Sequence, residues 1–148
     1  MKPDADHLLR MLAGRLLTHI MPMVNTEYGQ SSISLVALLM MAAAEDFDRA
    51  AARLIEENKQ MRKIFFEALT IITGEPLKQQ LEEAAGRLDE DFRVSALDQT
   101  NQEMRALLIA LQTHIESMEG EGAKRLNGMI WRELAESANR RSYAVWPM

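Results

Sequence analysis

Along most of this chain the apolar residues recur every three or four positions, the period of an amphipathic helix rather than of a strand. Leu8, Leu9, Leu12, Leu16, Ile20 and Met23 form the first stripe. Pro3, Asp4 and Asp6 ahead of it make a helix start, and Pro22 stops or kinks it. Residues 25–32 read as a loop, with Ser31 or Ser32 placed to cap the next helix.

Residues 33–73 lie in the longest stretch free of glycine and proline, and the rest of the chain reads as something packed against them. Residues 35–44 are apolar at every position, which predicts a helix buried on all sides. Beyond them the pattern becomes one-sided. Phe47, Ala50, Ala51, Leu54 and Ile55 share a face, as do Met61, Ile64, Phe65, Ala68, Leu69 and Ile72, and Asn58 falls on the apolar side between the two sets. One unbroken helix over 33–73 would be about 60 Å long. A compact chain of this size has a radius of gyration of about 15 Å. A break or kink near Asn58 is therefore expected, the alternative being an elongated bundle or an oligomer.

Gly74, Glu75 and Pro76 read as a stop followed by a start. A shorter helix carries Leu77, Leu81, Ala84, Ala85 and Leu88, and the charged connector 89–94 leads to Ser95 as a cap. The next helix carries Leu97, Met104, Leu108, Leu111, Ile115 and Met118 and ends at Gly120 to Gly122. A last helix over about 123–139 turns Leu126, Met129, Ile130 and Leu134 inward. Nothing reads as a strand. The expected architecture is all-α, an up-and-down helical bundle of five or six helices. One domain is expected over 1–141, followed by an extended apolar tail over 142–148.

A short pattern recurs on three helices: Asp or Asn, then Arg four residues on, as Asp6 and Arg10, Asn58 and Arg62, Asn101 and Arg105. Such pairs share a face and bond locally, or the first member caps a helix start. A sharper reading puts Asn58 and Asn101 inside as structural polar residues, bonded across helices and fixing register as a buried Asn does in a coiled coil.

Composition narrows the chemistry. The absence of cysteine excludes disulfides, thiol catalysis and zinc–thiolate sites and fits a cytoplasmic setting. A net charge of −5 without a basic cluster argues against nucleic acid. Ten apolar residues are too few for a bilayer, which needs roughly 20, and the first residues lack the order of a signal peptide. None of the three histidines has a glutamate three residues before it, so no carboxylate-bridged metal pair is expected. Each histidine does have a methionine four residues on. His19 with Met23, and His114 with Met118, are weak candidates for a soft metal such as Cu(I). Neighbouring acids such as Glu45 and Asp46 diverge on a helix and make no acid–base pair. No catalytic residue and no cofactor is expected.

The tail residues Tyr143, Val145, Trp146 and Met148 are costly to leave in water and are candidate interaction residues, docking on their own bundle, a sister subunit or a partner. The expected function is a non-enzymatic accessory or protein-interaction bundle, a homodimer or the partner of another protein, with neither nucleic acid nor membrane as its target. The alternative is a bundle that binds a small apolar ligand or a soft metal, with Met40, Met41, Phe65 and Met104 around one cavity.

Overall fold

The computed structural model describes residues 4–143, which form five α-helices and no strand. Helix α1 (Ala5–Arg15) passes into a π-helical turn, Leu16–Ile20, and a single 3-10 turn, Met21–Met23. The change of winding has local causes. The Thr18 hydroxyl donates to the Gly14 carbonyl at 2.9 Å, drawing on a helix acceptor. Pro22 has no N–H with which to resume the ladder.

Helix α2 (Glu27–Ala68) starts earlier than the serine pattern suggests. Its cap is Thr26, whose hydroxyl accepts the Gly29 N–H at 3.2 Å. Ser32 and Ser34 lie inside the helix and donate to the carbonyls of Tyr28 and Gln30, each at 2.9 Å. Gly29 is needed there, because a Cβ would collide with the Val24 side chain. The expected break at Asn58 does not occur. Asn58 sends its side chain to other elements instead of its own backbone, so it does not compete with the helix.

After the turn at residues 69–71 come α3 (Leu77–Gly86), α4 (Val94–Glu116) and α5 (Glu121–Arg141). Pro76 precedes α3 and Gly120, at φ 120°, precedes α5, both close to where the sequence places punctuation. No described helix is long and apolar enough to cross a membrane.

Packing divides the described chain into two compact units, residues 4–50 with 142–143, and residues 51–141. The second unit holds a dense core. Met61, Ile64, Phe65, Ala68 and Ile72 meet Leu81 of α3, Met104, Leu108, Leu111 and Ile115 of α4, and Leu126 and Ile130 of α5. The first unit is built differently. Its buried apolar residues, among those described, are Ala13, Ala37, Ala44 and Ala50. The expectation that residues 35–44 are buried on all sides is therefore corrected: Leu35, Val36 and Leu39 face water, and Met40 and Met41 are half-buried. All-round burial needs neighbours on every side, and α1 is the one other α-helix of this unit.

Candidate functional site

Two features of the described chain are unusual enough to carry a role: a buried polar cluster in the second unit and an apolar outer face in the first. The cluster is built on helix positions that continue the core stripes. Glu57 follows Ala50 and Leu54 and precedes Met61 and Ile64 at alternating steps of four and three. Asn101 sits between Leu97 and Met104, and Ser137 follows Leu126, Ile130 and Glu133 in the same way. The helices thus bring polar groups together where their stripes would otherwise stay apolar.

Glu57 has no exposed surface. Its Oε1 accepts from Ser137 Oγ at 2.9 Å and Arg141 Nε at 3.0 Å. Its Oε2 accepts from Asn101 Nδ2 at 3.1 Å, Arg105 Nη2 at 3.0 Å and Arg141 Nη2 at 2.7 Å. Five donors saturate a carboxylate's acceptor sites. Burial alone would raise its pKa, but the hydrogen bonds from Arg141, Arg105 and Ser137 outweigh it and lower the value from 4.5 to about 2. A carboxylate that is permanently charged and fully occupied cannot take a proton from a substrate near neutral pH. This cluster is a lock between α2, α4 and α5.

Asn58, also without exposed surface, extends the lock. Its Oδ1 accepts from Asn101 Nδ2 at 2.9 Å, and its Nδ2 donates to the Leu97 carbonyl at 3.3 Å and to Asp89 Oδ1 at 3.4 Å. Asp89 also takes a two-pronged contact from Arg62, at 2.9 and 2.5 Å. Of the recurring pairs, Asn101 and Arg105 bond directly, Nε to Oδ1 at 2.8 Å, while Asn58 and Arg62 meet through Asp89. Asp6 is half-buried and Arg10 exposed on α1.

Glu133 borders the same cluster and behaves oppositely. Burial pushes its carboxyl up to about 7 against the pull of Arg140, with Glu136 and Glu57 adding to the rise. Arg140 pairs with it and reaches Glu136 at 3.6 Å.

An open depression of about 560 Å³ lies beside the α3–α4 connector, lined by residues 86–91 with Ala96, Gln99 and Thr100. Of its three carboxylates, Asp89 pairs with Arg62 and Asp91 with Arg93. Of the four residues proposed to surround one apolar cavity, Phe65 and Met104 are in the core of the second unit, and Met40 and Met41 belong to the first.

In the first unit α2 turns Tyr28, Leu35, Val36, Leu39 and Phe47 outward, with 85, 56, 48, 57 and 64% of their surface exposed. Between Glu27 and Glu45 the helix carries no charge. The other proposed sites fall elsewhere. His19 is exposed and its Nδ1 lies 2.7 Å from Thr18 Oγ1; Met23 is exposed in the neighbouring 3-10 turn. His114 is exposed near the end of α4, and Met118 packs against the second unit's core. Among the described residues no group of three His, Cys, Asp or Glu side chains could hold a metal ion. Of the tail, Tyr143 is partly exposed and the preceding Ser142 carbonyl accepts from Arg49 at 3.3 Å. Val145, Trp146 and Met148 lie outside the described residues.

Glu57, Ser137 and Arg141 are absent from the residues named from sequence, and Arg105 is named there only as the local partner of Asn101. A signal for Glu57 exists: it holds a core position between Leu54 and Met61. No protein-family model, curated protein or solved structure matches the chain.

Proposed function

We propose that the protein is a non-enzymatic helical interaction module, in which the second unit is the densely packed body and the first unit docks a helical partner through the outer face of α2. The interior of the first unit carries this reading. Its described buried apolar residues are all alanines, while five larger apolar side chains on its part of α2 stay in water. Burying a Val, Leu or Phe side chain stabilises by about 1.5–3 kcal/mol, and alanine has far less surface to withdraw. Helices in proteins draw most of their stability from packing an apolar face, so a partner that covers α2 supplies what alanines cannot. The acidic balance fits a protein partner better than nucleic acid or an anionic membrane. A cysteine-free chain suits a cytoplasmic setting.

A photo-crosslinking residue at Val36, used in intact cells, tests this. The probe is expected to capture a polypeptide chain. The same probe at Phe66, which is exposed in the second unit, is expected to capture none. Capture at 66 and not at 36, or at neither, would overturn the reading.

A further inference from the structure

We propose that the α2 face is covered by a second copy of this chain, the two helices pairing antiparallel about a two-fold axis near residues 37 and 38. This rests on the docking reading of the first unit and names its partner.

One row of α2, half-buried at Ser32 and exposed at its other five positions, reads the same from either end. Tyr28, Ser32, Val36, Leu39, Ala43 and Phe47 follow one another at steps of four, four, three, four and four. Antiparallel pairing sets Tyr28 on Phe47 of the second copy, Ser32 on Ala43 and Val36 on Leu39. Each contact is made twice, as a two-fold interface requires. Aromatic rings meet at both ends, and small residues between them let the backbones approach. The Ser32 hydroxyl already donates to the Tyr28 carbonyl of its own helix, so covering it strands no donor.

Charge sets the direction. Residues 28–44 are uncharged, whereas Glu45, Asp46 and Asp48 cluster at the far end. A parallel pair in register would set acids against acids. The antiparallel pair moves them to the first turn of the opposite helix, the positive end of its dipole, and leaves Asp48 level with Glu27 as its one pairing of acids.

The area is sufficient. At their observed exposures Tyr28 and Phe47 bring on the order of 300 Å² per copy, and Leu35, Val36 and Leu39 about as much again. Two copies would then remove about 1,200 Å², the lower bound for a stable interface.

The absence of cysteine makes the test clean. The wild-type protein is expected to sediment at twice the mass of one chain. An oxidised equimolar mixture of Ser32→Cys and Ala43→Cys is expected to yield disulfide-linked dimer, and Ser32→Cys alone none. Two residues at position 32 would lie about 16 Å apart along the pair, beyond the roughly 7 Å that a disulfide spans between Cα atoms. Leu39→Asp is expected to return the protein to monomer mass with its helix content kept. Should that variant unfold, the cysteine pair, which leaves the large side chains intact, decides. A monomeric wild type overturns the second copy as occupant, and capture of a different chain at Val36 would then leave the docking reading standing. A cross-link from Ser32→Cys alone overturns the antiparallel order.

Discussion

In the second unit, Phe65, Leu111 and Ile130 are fully withdrawn from water, whereas in the first Leu35, Leu39 and Phe47 remain more than half exposed. Both sets sit on regular helices at spacings of three and four. The difference is in what surrounds them. In the second unit, stretches from α2, α3, α4 and α5 converge, so each stripe meets another stripe. In the first, the fully buried apolar residues are alanines, Ile33, Leu38, Met40 and Met41 are half-buried, and Leu35, Val36, Leu39 and Phe47 point away. Periodicity tells which residues share a face, and the number of neighbouring helices decides whether that face is dry. The same contrast holds for polar groups: Glu57, at a fully enclosed position, has five hydrogen bonds, and the serines of α2's first turns bond to their own backbone.

The sharpest way to break the comparison is to remove the lock. Glu57→Ala would leave Arg105 and Arg141 without their shared carboxylate, and breaking a buried pair costs about 3–5 kcal/mol. Urea unfolding followed by helix content should show that loss, and a cost below about 1 kcal/mol would mean the cluster is ornamental to the second unit. The same group predicts an acid limb. Its folded pKa of about 2 lies below the ordinary 4.5, so its contribution is complete above pH 4.5 and disappears as pH falls towards 2. The midpoint of urea unfolding should drop across that window in the wild type and by less in Glu57→Ala, where Asp91 and Glu103, also held below their ordinary values by Arg93 and Arg87, still contribute.

Asn58→Leu tests the register role at smaller scale. It leaves the Leu97 carbonyl without its Asn58 donor and Asn101 with one acceptor fewer, for an expected loss of about 1–3 kcal/mol. Unchanged or higher stability with unchanged oligomeric state would count against it. Glu133 gives an effect of opposite sign. Its folded pKa of about 7 lies above 4.5, so its contribution is complete below pH 4.5 and declines as pH rises through 7. Glu133→Gln should flatten that decline in a pH series while leaving the acid limb in place. The smallest effect on folding belongs to the first unit. Leu39→Ser should shift the unfolding of the second unit by less than about 0.5 kcal/mol while abolishing self-association in sedimentation.

Much of the architecture is legible in the sequence because helices announce themselves by period and punctuation. Pro22, Gly74, Pro76 and Gly120 all fall in or beside breaks between helices. Asn58 and Asn101 stand on apolar stripes, which is how sequence alone points to them as internal groups. Glu57 is harder to see, since it is embedded in the polar run 56–60, and its partners Arg105, Ser137 and Arg141 come from two other helices. A pairwise rule limited to one helix cannot reach 44 to 84 residues along the chain. The expected break at Asn58 and the expected burial of residues 35–44 share one assumption, that the chain closes compactly on itself. The first unit does not meet it with its own side chains.

Amide hydrogen exchange at two protein concentrations reads that difference most directly. In the concentrated sample residues 28–47 should be protected, and on dilution they should lose protection while residues 54–65 and 97–115 keep theirs. If residues 28–47 stay as protected as the second unit in a dilute, monomeric sample, the first unit needs no partner and the docking role of α2 is contradicted.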